Sequence, residues 1–375
     1  DASDFEEDTP ATVTGGAGTD TLTVNIPENG AYLINQLHFD NVTTIERLVI
    51  HRDAGFELPS QGEGEFTLSG TSFNTLVMDA PFDLEGTFRI TGGSNLKTII
   101  VEKPIGPNVA VGETPGPVGG GTVGRLIFDQ FTSDSISIVA NAEIETNLSV
   151  VNSDNIPTVT ISGAANVNLG QLSGADDINA QALTGDLVLM TVFGVDSTIL
   201  GGAGDDYLTS AANGGNDTFD GGAGDDIIDL TADNSGRDTV AYHIGQDGND
   251  TILGFRAVKS DDVESDIMRF DGVVDANELA EEIANITFVE NGGYEENAID
   301  GNTVDLTINF QNGGSITFAD FMAIDTDVEI LFGNAVFTDG QGQDASDKVI
   351  SEGETVIVTG VTDTDMTSAL DVVFV

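Results

Sequence analysis

The chain has 375 residues, 64 of them acidic and only 11 basic, for a formal net charge of −53, and it contains neither cysteine nor tryptophan. A compact chain so charged repels itself unless counterions bind, and it is a poor partner for nucleic acid or an anionic membrane surface. Disulfides cannot brace it, no run of about 18 apolar residues marks a transmembrane helix, and 39% hydrophobic content with 46 glycines suits thin cores better than one large globule.

The start, Asp1-Ala2-Ser3-Asp4, carries no signal-peptide pattern and reads as a processed or truncated end. The first motif is Gly15-Gly16-Ala17-Gly18-Thr19-Asp20-Thr21-Leu22-Thr23, a glycine turn closed by an aspartate before a short strand. Glycines reach positive φ and bare their carbonyl oxygens, and the aspartate adds a hard anionic oxygen, so Gly16, Gly18 and Asp20 are candidate calcium ligands. No similar block adjoins this copy in sequence for it to stack on.

Short β-prone runs follow at Ile45–Ile50, Asn74–Met78, Leu96–Val101 and Arg125–Phe128, with centres some 23–28 residues apart. That interval is longer than hairpin spacing and predicts the rungs of a β-solenoid. A break at 104–124, with four prolines and Gly119-Gly120-Gly121, reads either as a hinge between domains or as a loop projecting from the solenoid. Beyond it the runs Ile136–Val139, Leu148–Val151, Val159–Ile161, Val167–Leu169 and Leu187–Val192 crowd together, as if each rung held two or three strands. Gly174-Ala175-Asp176-Asp177-Ile178 looks like a worn copy of the glycine-aspartate turn.

The strongest motifs are Gly201-Gly202-Ala203-Gly204-Asp205-Asp206-Tyr207-Leu208-Thr209 and Gly221-Gly222-Ala223-Gly224-Asp225-Asp226-Ile227-Ile228-Asp229, which start 20 residues apart. Both fit G-G-x-G-x-D-x-U-x, where U is one inward aliphatic residue. A third block, Gly245-Gln246-Asp247-Gly248-Asn249-Asp250-Thr251-Ile252, replaces the second glycine with Gln246. Calcium takes about six to eight oxygens, more than one turn offers, whereas turns stacked at about 4.8 Å can share an ion. Candidate ligands are therefore Gly202, Ala203, Gly204, Asp205 and Asp206, then Gly222, Ala223, Gly224, Asp225 and Asp226, then Asp247, Asn249 and Asp250. Leu208, Ile228 and Ile252 should form one inward column. Weaker turns at 213–219 and 234–240 supply Asn216, Asp217 and Asp238 on the opposite edge, with Phe219 and Val240 inward. The aliphatic residue at a fixed offset argues against the alternative of flexible, solvated linker.

Past Phe255, Ala276–Ile283 is the best helix candidate, with Asp275 as N-cap. The runs Ile286–Val289, Leu306–Phe310, Ile316–Phe318, Val328–Phe332 and Thr355–Val358 alternate apolar and polar residues between glycine turns, which predicts antiparallel strands. Solenoid ends are open sheet edges, and residues 255–375 are placed to cap one.

On the blocks from Gly201 to Ile252, and more weakly through Asp266–Phe270, the chain resembles the RTX family of secreted calcium-binding proteins, and Ala182–Leu187 leading through Ser197–Leu200 resembles the repeat style of its surface-layer members. The resemblance implies an all-β protein: a parallel β-solenoid or β-roll with calcium turns and a C-terminal antiparallel β cap. The expected domains are a solenoid-like region 1–124, a solenoid 125–200, a calcium-binding roll 201–254 and a cap 255–375. Family rolls repeat about every 18 residues, and these laps are longer and irregular. The ending Leu370-Asp371-Val372-Val373-Phe374-Val375 resembles the uncleaved type I export signal of such proteins, and reads equally as an edge strand.

Catalytic patterns are missing. His38, His51 and His243 build no H-E-x-x-H zinc motif, and there is no G-x-S-x-G elbow. A β-helical lyase or glycosidase drawing carboxylates from distant rungs is harder to exclude, although 11 basic residues offer few groups to bind acidic sugars. The expectation is a secreted, non-enzymatic structural protein. Its cofactor is Ca²⁺, its partners are copies of itself in a cell-surface array, and a surface glycan or lipopolysaccharide is the anchor. The rival is an adhesin segment or the C-terminal module of a larger toxin or enzyme.

Overall fold

The computed structural model describes residues 13–25, 39, 42–51, 56–57, 63–68, 71–80, 82–83, 87–92, 95–106, 125–131, 133–151, 158–171, 173, 175–191, 195–212, 215–232, 236–255, 266–271, 282–291, 303–322, 327–332 and 356–359. The fold is all-β. It divides into two compact units, residues 1–192 and 193–375.

In the first unit, strands Thr21–Asn25, Arg47–His51, Thr75–Asp79, Thr98–Val101, Ser135–Ala140, Thr158–Gly163 and Asp177–Leu183 pair in that order, all parallel. Leu22, Leu48, Leu76, Ile99, Ile138 and Ile161 stand in register, with Val24, Ile50, Met78, Val101 and Ala140 in a second column two residues on. Period-2 alternation drives this: Ser135–Ala140 reads Ser-Ile-Ser-Ile-Val-Ala, with its apolar residues at alternate positions buried. Burying each Leu or Ile in such a column is worth about 1.5–3 kcal/mol.

Two further parallel sheets complete the laps, one of Glu63–Thr67, Thr87–Thr91, Arg125–Asp129 and Asn147–Val151, the other of Ile144–Glu145, Val167–Gln171 and Leu187–Met190. Several short strands per lap, each pairing with the next lap, define a parallel solenoid. One expectation is corrected here. The run at Arg125–Phe128 does not continue the series of Leu48, Leu76 and Ile99; it pairs with Thr87–Thr91 and Asn147–Val151, and Ser135–Ala140 takes the next rung. Spacing measures distance along the chain and cannot say which face of the coil an apolar run joins. The break at 104–124 lies largely outside the described residues, although Ile105 bridges Ile144 in parallel.

In the second unit, Thr198–Leu200, Thr218–Asp220, Thr239–His243 and Ile267–Asp271 form one parallel ladder that Asp327–Phe332 joins, also in parallel. Tyr207–Thr209, Ile227–Asp229 and Asn249–Leu253 form the other, joined by Ser315–Met322. Leu208, Ile228, Ile252 and Phe318 stand in one column, and Ile199, Phe219, Val240 and Met268 in the other. All eight side chains are buried. This is a β-roll.

The strands expected to cap the roll do run antiparallel among themselves: Ile283–Asn291 with Thr303–Phe310, Thr303–Phe310 with Ser315–Met322, and Asp327–Phe332 with Val356–Thr359. They are nonetheless grafted onto the roll by parallel pairing. The core widens there with rings, Tyr242 stacking on Phe310 at 5.2 Å and Phe270 meeting both edge-on. Of the helix candidate, 276–281 lies outside the described residues and Ile283 opens a strand. The run Leu370–Val375 also lies outside them.

Leu76, fully buried between Leu48 and Ile99, is expected to cost about 2–5 kcal/mol when changed to alanine. Thr23→Ala, at an exposed position of the first strand, should stay within about 0.5 kcal/mol. Urea midpoints of the two variants check this, and equal shifts would dissolve the column as a source of stability.

Candidate metal centre

In both strong glycine blocks the last aspartate sits one residue before its strand. In the first it turns its carboxylate back under the glycines, so that Asp206 Oδ2 accepts the Gly202 N–H at 2.8 Å. Laps are then joined through this residue. Asp226 Oδ1 accepts the Asp206 N–H at 2.7 Å, and Asp250 Oδ1 accepts the Asp226 N–H at 3.1 Å. In return, the carbonyls of Asp206 and Asp226 accept the N–H groups of Ile227 and Thr251, both at 2.8 Å. The result is a column of buried carboxylates, Asp206, Asp226 and Asp250, no more than 4% exposed.

The glycines are required by contact as well as by φ. Gly222 and Gly224 have φ of 90° and 135°, and a Cβ on Gly222, Gly224 or Gly248 would lie 2.3, 2.1 or 2.0 Å from the carbonyl oxygen of Gly202, Gly204 or Gly224. Backbone thus stacks on backbone, carbonyls included. Outside the carboxylate column runs an exposed row in which Asp205 Oδ1 accepts the Asp225 N–H at 2.9 Å and Asp225 Oδ1 accepts the Asn249 N–H at 2.8 Å. Ala203 and Ala223 lie exposed in the turns, and the Ala223 N–H donates to the Gly202 carbonyl at 3.0 Å.

The opposite edge repeats the device without the full glycine motif. Asp217 Oδ1 accepts from Ser197 N–H and Asp238 Oδ1 from Asp217 N–H, both at 2.9 Å, and Asp266 Oδ1 accepts from Asp238 N–H at 3.1 Å. All three aspartates are buried. Asn216, exposed, belongs to the outer row, its N–H donating to Asp196 Oδ1 and its Oδ1 accepting from Arg237 N–H, each at 2.8 Å. Asp266 and Asp196 were not among the candidates. The detectable signal was an aspartate immediately before a β run, present in Asp266-Ile267-Met268 but without glycines to draw attention to it.

In the first unit the N-terminal copy finds a partner after all. Asp20 Oδ2 accepts the Gly16 N–H at 2.7 Å, the same closure as in the roll, and the Asp20 N–H donates to Glu46 Oε2 at 2.9 Å. Val13 and Thr14 pair in parallel with Val42 and Thr43. The neighbouring lap holds no glycine turn, and Thr44 takes the positive φ of 54° there. Gly18, at φ 114°, is exposed. At the worn turn, Asp176 Oδ1 is buried without a hydrogen-bond partner, and burial, then the Asp177 charge, raises its pKa.

One candidate departs from the column. Asp247 turns its buried carboxylate toward His243, accepting that residue's backbone N–H at 2.5 Å. It does not join Asp205, Asp225 and Asn249.

Electrostatics test whether a cation fits. Asp226 Oδ2 is buried with no hydrogen-bond partner. Burial pushes the Asp226 pKa up to about 9, its hydrogen bond from Asp206 opposes, and the charges of Asp250, Asp206 and Asp247 raise it further. Asp250 rises to about 8, again chiefly by burial. A buried, partnerless carboxylate oxygen between like charges, beside stacked carbonyls, is a hard oxygen donor set suited to calcium. Comparison with protein-family models, with curated proteins and with solved structures gave no match.

With folded pKa values above the ordinary 3.8, the metal-free fold holds more protons than the unfolded chain between about pH 4 and 9. Its stability is therefore greatest at the acid end of that window and declines as pH rises through it. Melting of the chain stripped of calcium beforehand and kept in calcium-free buffer should show Tm falling as pH rises from 5, until the roll is unfolded at the alkaline end, and Asp226→Asn should flatten the slope; a Tm rising with pH would contradict the assignment.

Proposed function

We propose that the protein is a calcium-binding structural protein of the extracellular space, whose roll folds when Ca²⁺ reaches it and which assembles on the cell surface as an array of the surface-layer kind. The observation that carries the reading is the Asp206–Asp226–Asp250 column, with stacked glycine carbonyls at its side. The resemblance of the glycine-aspartate blocks to RTX repeats supports the same ion. Asp206, Asp226 and Asp250 with the Gly202, Gly204 and Gly224 carbonyls would hold calcium on one edge, Asp217, Asp238 and Asp266 on the other, and Asp20 with Glu46 in the first unit. Bound calcium supplies positive charge between anions; the chain's own residues supply hard oxygens, exclude water from the inner column and keep the laps in register.

The charge of −53 supports the extracellular and array parts of the reading. Where calcium is scarce, self-repulsion favours the unfolded chain, a form suited to type I export; at millimolar calcium the turns are neutralised and exposed carboxylates become available to bridge copies. No catalytic role is assigned.

Chelation by EGTA at pH 8 should remove most of the β circular-dichroism signal of the second unit, and calcium should restore it. Asp206→Ala with Asp226→Ala should weaken calcium affinity by about tenfold or more, whereas neutralising the exposed Glu102 and Asp134 should have little effect; equal losses would reduce the motif to bulk charge. Electron microscopy of the purified chain should show sheets in millimolar calcium and dispersed particles in EGTA. Dispersed particles in both would leave calcium folding intact and remove the array.

A further inference from the structure

We propose that Asp220, His243 and Asp247 form a metal site of a different kind from the calcium turns, taking a divalent transition ion of the zinc class. Asp220 ends the strand Thr218–Asp220, in register with Ala241 of the adjacent strand Thr239–His243. His243 lies two residues further along that strand. The chain then doubles back: Gln246 and Asp247 donate their N–H groups to the His243 carbonyl at 3.0 and 3.1 Å, with Gly245 at φ 76° making the bend. This turn returns the Asp247 carboxylate to the imidazole. One ligand atom from each of the three residues lies within 4.8 Å of the others.

The distances leave room for a metal ion among the three side chains. His243 Nδ1 is 3.5 Å from Asp220 Oδ1 and 3.5 Å from Asp247 Oδ2. Both exceed the usual range of about 2.7–3.2 Å for an N–H···O bond. They match the edge of a tetrahedron, which for metal–ligand bonds of about 2.0–2.2 Å is about 3.3–3.6 Å long. The two aspartate side chains are only 8% and 3% exposed, so two anions face one another with an imidazole between them. A dication offsets that charge. The imidazole nitrogen selects against calcium, which prefers an all-oxygen shell, and the N,O,O set suits zinc. His243 remains 31% exposed, leaving a solvent side through which the ion enters and where water completes four-coordination. Bound there, the ion ties two strands of one ladder to the turn that feeds the other.

The test is cobalt(II) titration of the full, tag-free chain in excess millimolar calcium, which holds the roll folded and blocks the calcium turns. Expected are visible d–d bands of four-coordinate intensity that saturate at one equivalent and are bleached by zinc. His243→Gln should abolish them while calcium-dependent melting is retained, and Asp220→Asn or Asp247→Asn should weaken cobalt binding by about tenfold or more. His51→Gln, whose imidazole pairs with Asp79 at 2.6 Å, should leave the bands unchanged. Absence of saturable bands, their survival in His243→Gln, or displacement of cobalt by calcium would overturn the site. An imidazolium ion-paired to both aspartates, seen by NMR as a His243 titration insensitive to zinc, would replace it. Loss of calcium folding with retained cobalt binding would sink the calcium reading and leave this one standing.

Discussion

The carboxylate that accepts an N–H from the lap above is the constraint around which the roll is built, and it makes two demands that conflict. Hydrogen bonding to the main chain requires the aspartates to stack in register, Asp206 on Asp226 on Asp250. A charge-assisted hydrogen bond is worth about 1.5–3 kcal/mol net. The same stacking brings buried anions together at roughly the inter-strand spacing of 4.8 Å, where an effective dielectric of about 20 gives about 3.5 kcal/mol of repulsion per charged neighbour. Neither term wins clearly, so whatever neutralises the column decides whether the laps stay closed. Protons do so below the raised pKa values of about 8 for Asp250 and about 9 for Asp226, and above them a hard dication would do the same.

Hydrophobic burial cannot take over that role in the roll. Tyr207–Thr209 and Ile227–Asp229 are three residues long and contribute one large aliphatic side chain each to the inner column, Leu208 and Ile228. The first unit contrasts. There the residue before each of the strands opening at Thr21, Arg47, Thr75 and Thr98 runs Asp20, Glu46, Asn74, Lys97, and laps are linked at that point mainly by carbonyls, as where Glu46 and Asn74 accept N–H groups from the following lap. Its strands are longer and bury paired aliphatic columns. Cohesion in that unit comes from leucine and isoleucine, and the carboxylate at the turn can be lost without losing the lap. Asp20–Glu46 survives there as an acidic step of the same kind.

This difference explains what could be read from sequence. The column Leu208–Ile228–Ile252 and its opposite, Phe219–Val240, followed from a fixed offset between glycine turn and aliphatic residue, and such an offset has meaning only if laps stack. The inner aspartates were legible for the same reason. Asp266 and Glu46 were not, because the hydrogen bond they accept depends on position before a strand and not on glycine, and a lap of 28 residues hides the repeat. Asp247 is the complementary case: it sits in a glycine turn by sequence, yet the bend at Gly245 aims its carboxylate at His243. Arg125–Phe128 was assigned to the wrong face because apolar runs on different faces of a coil look alike.

The column also has a definite end. Continuing the register beyond Asp250, the next lap places Ile316 opposite it, fully buried, where another carboxylate would otherwise stand. From that point the sheet grows by antiparallel pairing of Thr303–Phe310 and Ile283–Asn291, whose hairpin geometry needs no lap and no turn-borne anion. Aromatic packing of Tyr242, Phe270 and Phe310 takes over as the local source of cohesion. The demand for neutralising charge therefore stops within one rung. Antiparallel strands that carried their own carboxylate column would have extended the stack of buried anions to the end of the roll. An isoleucine at that register instead gives the carboxylate-bearing laps a neighbour whose packing needs no neutralising charge.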